Sequence, residues 1–92
     1  MNVEIQGNTI NINSPVVTLN DAEKLLQILA SKENESKLVL NVNSFSFPSS
    51  VIGELLRLSD NGTSIVINVH DETLYELFKA LNLTSKFKIR KI

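Results

Sequence analysis

The stretch Leu38-Val39-Leu40-Asn41-Val42-Asn43-Ser44-Phe45-Ser46-Phe47-Pro48-Ser49-Ser50-Val51-Ile52-Gly53 runs from a strand into a helix, and that transition sets the fold class. Leu38 to Val42 is nearly continuous apolar sequence. It is too short for a helix and typical of a strand covered on both sides, so it is the expected central strand. Pro48 has its φ fixed near the helical value and no N–H to lose, which suits the first helical position. From about Pro48 to Ser59 the pattern predicts a helix with Val51, Ile52, Leu55 and Leu56 inward, and Asp60-Asn61-Gly62 supplies its stop.

Toward the C-terminus, Ile65-Val66-Ile67-Asn68-Val69 repeats the buried-strand pattern. Asp71 is placed to cap a third helix, whose apolar stripe is Leu74, Leu77, Phe78 and Leu81, and Asn82 suits a left-handed C-terminal residue. The tail from Lys86 alternates Lys-Phe-Lys-Ile-Arg and reads as a last strand. Toward the N-terminus, Val3 and Ile5 alternate with polar residues, as do Ile10 and Ile12. Gly7-Asn8 between them is a favoured two-residue hairpin connection. Ser14-Pro15 ends the second strand. Asn20, with Glu23 three positions on, offers a cap for a first helix that buries Ala22, Leu25, Leu26 and Leu29. The resulting order β-β-α-β-α-β-α-β predicts an α/β fold. An open mixed sheet of about five strands begins with an antiparallel hairpin, continues with parallel strands and carries three helices.

The 92 residues fit one domain, residues 1–92, and leave no room for a two-domain enzyme. A hydrophobic fraction of 42% with only 3 Gly and 2 Pro marks a folded chain with a core rather than a disordered tail. A chain this short buries only roughly 60–65% of its unfolded surface, so function is expected on the surface rather than in a deep cavity. A formal net charge of −1 gives no general drive toward nucleic acid or anionic lipid. Without cysteine there is no disulfide scaffold, thiolate nucleophile or Cys-ligated zinc, and a single histidine excludes a multi-His metal site. No basic stretch precedes an apolar run at the start, and no segment approaches the ~20 apolar residues of a membrane span. A cytoplasmic location without direct membrane insertion is therefore expected. Three Asn-x-Ser/Thr matches, at Asn34, Asn61 and Asn82, are what an Asn-rich chain produces by chance.

The sequence contains no glycine-rich phosphate loop, His/Glu metal spacing or nucleophile elbow, so no cofactor and no enzymatic activity are expected. His70, beside Asp71 at a strand end, occupies a place where open α/β sheets bind ligands. The simpler reading is a polar residue in a strand-to-helix loop. Asp71, Glu72 and Glu76 sit near a helix start, where they suit the dipole without catalytic duty. Lys86, Lys88, Arg90 and Lys91 fit protection of a sheet edge better than nucleic-acid binding. Tyr75 is a candidate surface residue, Phe78 belongs to the core, and Ile28 and Leu58 lie beside their helices' main stripes as candidate exposed positions.

Ser49 and Ser50 are the candidate functional residues. In the first turn of a helix their hydroxyls face out. A phosphate there meets free backbone N–H groups and the positive end of the helix, so the monomer accepts it and the disturbance falls on a partner covering that turn. The alternative is that both serines only cap the helix. Gly53, inside the same helix, costs about 1 kcal/mol relative to Ala. A close approach by a neighbouring helix or a partner would explain that cost, and an incidental, tolerated glycine is the alternative.

These residues carry a resemblance to the STAS domain, the family of bacterial anti-sigma factor antagonists. That family reads as three hydrophobic residues, Asp and a hydrophobic residue in a strand, then Asp-Ser-Ser-Gly-Leu-Gly opening a helix. Leu38-Val39-Leu40-Asn41-Val42 resembles the strand, and Phe47-Pro48-Ser49-Ser50-Val51-Ile52-Gly53 resembles the link and helix start. Gly62-Thr63-Ser64-Ile65-Val66-Ile67 resembles the Gly-rich turn and next strand; Leu74 to Leu83, with Phe87 and Ile89, resembles the closing helix and last strand. The resemblance implies that Ser49 stands at the phosphorylated position of the switching members, Ser50 at the second serine and Gly53 at the second glycine. Pro48 replaces the family's acidic residue, Val51 its first glycine, and Thr18 an acidic residue before the first helix.

The resemblance implies a non-enzymatic protein-binding module. Unphosphorylated, it would bind an anti-sigma factor of the serine-kinase type and regulate transcription by partner switching; phosphorylation of Ser49, adding about −2 charge, would release it. Pro48, Ser49, Ser50, Gly53 and Glu54 form the expected contact. A second reading is a constitutive adaptor, similar to the small STAS subunits of bacterial phospholipid-transport ABC complexes, docked on transporter subunits through the same helix. A third is nucleotide or small-ligand binding at the strand ends near Ser49 and His70.

Overall fold

A computed structural model describes residues 2–92. The chain forms β1 (Val3–Gln6), β2 (Thr9–Ile12), α1 (Leu19–Ala30), β3 (Lys37–Val42), α2 (Ser49–Asp60), β4 (Ser64–Val69), α3 (Glu72–Ala80), a 3-10 turn (Leu83–Ser85) and β5 (Lys88–Lys91). The strands make one mixed sheet in sequential order, with β1 antiparallel to β2 and every other neighbour pair parallel. Gly7 turns the hairpin at φ +61°, the first of its two central positions, where glycine is the unstrained choice.

Sequential strand order has a consequence for the helices. Each right-handed crossover advances the sheet by one strand in the same direction, so all three helices pack on one face. Ile10, Ile12, Leu38, Leu40, Val42, Ile65, Ile67 and Val69 face them and are buried. The alternate residues Thr9, Asn11, Val39, Asn41, Val66 and Asn68 are only half-buried. The expectation that the central strands are covered on both sides is thereby corrected. Their apolar runs look continuous only because Val39 and Val66 sit among the solvent-side residues.

The helix boundaries follow from local capping. Thr18, not Asn20, is the N-cap of α1, and its hydroxyl accepts a hydrogen bond from the Asp21 N–H at 3.1 Å. Thr18 wins because the chain is extended there (φ −107°, ψ 159°), as a cap must be. α2 ends in a Schellman motif: the Thr63 N–H bonds the Leu58 carbonyl at 3.0 Å and the Gly62 N–H bonds that of Ser59 at 3.1 Å. Gly62 takes φ +100° to allow it. Asn82 follows α3 with φ +58°, the left-handed residue expected there.

Helix phase departs from expectation on all three helices, beginning with α1, where Ala22, Leu25 and Leu29 are buried but Leu26 is half-buried. On α2 the buried set is Val51, Ile52, Leu55 and Leu58, while Leu56 is half-buried. Leu58 is fully buried and Ile28 packs against the core, so neither is an exposed apolar position. Residues 51, 55 and 58 follow the i, i+4, i+7 spacing of one face. On α3 only Leu74 and Phe78 are buried, and Leu77 and Leu81 are exposed, because this short helix covers only the last strands of the sheet. Phe78 stands edge-on to Phe47 with centroids 5.7 Å apart, joining α3 to the segment that leads into α2. Tyr75 is half-buried against the same core.

Candidate functional site

Parallel strands place the carboxyl ends of β2, β3 and β4 at one end of the sheet, together with the first turns of α1, α2 and α3. Three loops meet there: residues 13–18, residues 43–48 and the pair His70-Asp71. Their geometry is held by short polar side chains. Buried Ser44 donates its hydroxyl to the Ser46 carbonyl at 2.8 Å and accepts the Ser46 N–H at 3.1 Å. Ser46 in turn donates to the Val16 carbonyl at 3.0 Å, tying the β3–α2 loop to the β2–α1 loop. Phe47 fills the core below them.

Pro48 is the N-cap of α2 rather than its first helical residue, with φ −68° and ψ 148°. Its φ suits either place, but the extended ψ puts it outside the helix. Its carbonyl accepts the N–H groups of Val51 and Ile52 at 3.1 and 3.2 Å. Ser49 and Ser50 are therefore the first two helical residues. Both are exposed, and no side chain caps this helix. The reading that the serines cap α2 is overturned, since a capping hydroxyl must sit one residue earlier. Helix position leaves the N–H groups of Ser49 and Ser50 without helical partners.

Gly53 lies one turn beyond Ser49 on the same side of α2, and a Cβ built there meets nothing within 4 Å. No neighbouring helix of this chain requires the glycine. Glu54, half-buried, is engaged by Arg57 through a hydrogen bond of 3.0 Å from Nε and a second from the terminal nitrogen. Arg57 also lies 3.5 Å from Glu33, and the pKa of its guanidinium is raised, first by Glu54 and then by Glu33. This trio links α2 to the segment after α1.

The same end of the molecule shows large apolar side chains to solvent: Val17 and Phe45 are each 64% exposed and Leu19 is 76% exposed. None was a candidate from the sequence. No period in the sequence marks them: Phe45 and Phe47 are two residues apart, yet Phe45 is exposed and Phe47 buried. Beside Phe45, Pro15, Asn43, Ser44, His70 and Asp71 complete the lining of an open cleft of about 300 Å³. Asp71 already accepts the Leu74 N–H at 2.8 Å as the cap of α3, and His70 is exposed at the rim. Among the described residues no cluster of three or more His, Cys, Asp or Glu is placed to hold a metal ion. No helix among them is long and apolar enough to cross a membrane.

No protein-family model, curated protein or solved structure matches this chain.

The last strand begins at Lys88 rather than Lys86, which ends the preceding 3-10 turn, and alternation divides the basic residues only within β5. Lys91 lies 4.0 Å from Glu72 of α3 and Lys86 lies 3.7 Å from Asp60, while Lys88 and Arg90 point to the opposite, helix-free face of the sheet.

Proposed function

We propose that the carboxyl end of the sheet is a docking surface for another protein, with Ser49 as its control point, in the manner of the anti-sigma factor antagonists that the sequence resembles. The observation that carries this reading is the pair of exposed, non-capping hydroxyls at Ser49 and Ser50, beside loops that expose Val17, Leu19 and Phe45. Uncapped N–H groups and the helix dipole make the first turn of α2 a favourable place for a phosphate on the monomer. The same dianion inside an apolar contact is strongly unfavourable, because it must be desolvated without a paired cation. Phosphorylation then separates the partners without unfolding this chain.

The partner under this reading is an anti-sigma factor of the serine-kinase type, in the cytoplasm of a bacterium. Pro48, Ser49, Ser50 and Gly53 form the contact, with Glu54 at its edge. The chain acts by binding and performs no chemistry of its own.

The test is gentle purification from the native host, with mass spectrometry of the intact complex and of the peptide holding Ser49 and Ser50. A kinase-type partner, with phosphoserine found only on the unbound chain, is the expected result. An unmodified peptide in a stable complex with ABC-transporter subunits would replace the switch by a fixed adaptor. Binding of Ser49→Asp as tight as that of the wild type would also exclude the switch.

A further inference from the structure

The helix-free face of the sheet lies opposite the helices and is separate from the Ser49 region. Parallel sheets are almost always covered on both faces, yet β2 to β5 are parallel and only one of their faces meets helices. On the open face the three central strands present only short side chains in their middle rows, Thr9, Val39 and Val66 in one and Asn11, Asn41 and Asn68 in the next. The asparagines form a ladder: Asn68 Nδ2 donates to Asn41 Oδ1 at 2.7 Å, and Asn41 Nδ2 donates to Asn11 Oδ1 at 2.7 Å. The register extends this row to Glu4 on β1 at the amino end of the ladder and to Arg90 on β5 at its carbonyl end. Among the described residues neither Glu4 nor Arg90 has an ion-pair partner. The neighbouring row ends in Gln6 on β1 and Lys88 on β5. A flat centre without charge, flanked by an acidic edge and a basic edge, has the layout of an interface core and rim.

We infer that this face binds a second copy of the chain, sheet against sheet, about a two-fold axis running nearly parallel to β3. Charge selects the occupant and the axis. A two-fold along the strands lays β1 of one copy over β5 of the other, so Glu4 meets the copy's Arg90 twice and Gln6 meets its Lys88 twice. A two-fold across the strands would instead bring Glu4 onto Glu4 and Arg90 onto Arg90. The chosen axis also stacks the two asparagine ladders with opposed dipoles, and short side chains at the centre allow the ~10 Å spacing and near-aligned strands of packed sheets. Lys37, at the amino end of β3, meets its own copy only at the wet rim, where its long stem turns outward. Five strands at ~4.8 Å by roughly five residues at ~3.3 Å give about 400 Å² per copy. That is about half the ~800 Å² per copy of a standard specific interface, so the dimer is weak and transient, with a Kd on the order of 100 µM.

Sedimentation equilibrium of the full chain from about 10 µM to about 1 mM tests this. The wild type is expected to pass from monomer to dimer, and Val39→Lys, at the centre of the face, to remain monomeric. Glu4→Arg and Arg90→Glu, both on exposed edge strands where folding is not at issue, are each expected to raise Kd about tenfold. The double variant Glu4→Arg/Arg90→Glu restores association to near the wild-type value, because both cross-copy pairs return with their signs exchanged. An equimolar mixture of the two single variants associates as well. Circular dichroism melts establish that each variant is folded. A wild type that stays monomeric at 1 mM, as it would if another protein covered the face, overturns the proposal. So do single variants that dimerise like the wild type, or a double variant that fails to recover.

Discussion

Of the three helices that begin at the carboxyl end of this sheet, α2 and α3 begin differently. α3 starts with Asp71, whose carboxylate accepts the Leu74 N–H at 2.8 Å, and Glu72 adds a further acidic group in its first turn. α2 starts with Pro48, has no side-chain cap and no acidic residue in its first turn, and exposes Ser49 and Ser50. One start uses the devices that stabilise a helix, while the other leaves its N–H groups and positive end open. The contrast is not one of packing, since Phe47 ahead of α2 and Phe78 within α3 are buried edge-on against each other. The core beneath the two starts is shared, and only the surface chemistry differs.

The comparison is broken first through the shared core. Phe47→Ala removes a buried ring and its edge-on contact, for an expected loss of about 3–5 kcal/mol. Phe45→Ala, two residues earlier and solvent-exposed, should lie within about 0.5 kcal/mol of the wild type. Chemical denaturation of both variants measures the two values. Equal losses would mean that Phe45 is packed, which removes it from the docking surface. Next in size is the cap: Asp71→Ala is expected to cost about 1 kcal/mol, or ~4–8 °C in Tm for a domain of this size. Ser49→Ala and Ser50→Ala should change stability by only a few tenths of a kcal/mol, toward a gain, because neither hydroxyl caps α2, both sites are exposed and Ala is the better helix former.

Much of this architecture was legible in the sequence. The hairpin at Gly7-Asn8, the cap at Asp71, the stop at Asp60-Asn61-Gly62 and the left-handed Asn82 are each determined by one or two residues with narrow backbone or hydrogen-bonding requirements. The features that differ from the sequence reading depend on which face of an element meets which neighbour. Leu58 was placed outside the buried stripe and Leu77 and Leu81 inside it, because the phase of a helix of two to three turns is set by the elements under it. One-sided coverage of the sheet was legible in principle. Leu38, Leu40 and Val42 alternate with Lys37, Val39 and Asn41, and Ile65, Ile67 and Val69 alternate with Ser64, Val66 and Asn68 in the same order. Valine on the open face hid that period. At the candidate site, Ser49 and Ser50 are legible in the sequence, whereas exposed Val17, Leu19 and Phe45 emerge only when the β2–α1 and β3–α2 connections are brought together.

Gly53 sharpens the comparison with a smaller effect. α3 has no glycine, while α2 has one in its second turn with open space where a side chain would stand. Gly53→Ala should therefore stabilise the isolated chain by about 0.5–1 kcal/mol, through helix propensity and a more restricted unfolded state. If a partner lies against this turn, the same substitution weakens its binding, so stability and affinity move in opposite directions. A titration calorimetry measurement with the purified partner reads the second quantity. Gains in both would assign the glycine no part in the contact.

Charge at Ser49 separates a surface switch from a folding defect. Ser49→Asp puts a negative charge at the first residue of α2, where the dipole is unsatisfied, and is expected to stabilise the monomer by about 0.3–1 kcal/mol at low salt. The gain should shrink as ionic strength rises, because the site is exposed to solvent. A comparable acidic addition at the start of α3, Thr73→Asp, should gain less, since Asp71 and Glu72 already occupy that field. Thermal melts of the two variants at low and high salt make the comparison. If Ser49→Asp melts at or above the wild-type temperature yet loses its partner, charge at the contact is the cause. If it melts well below, the first turn of α2 does not tolerate an anion, and phosphorylation would act by loosening the fold.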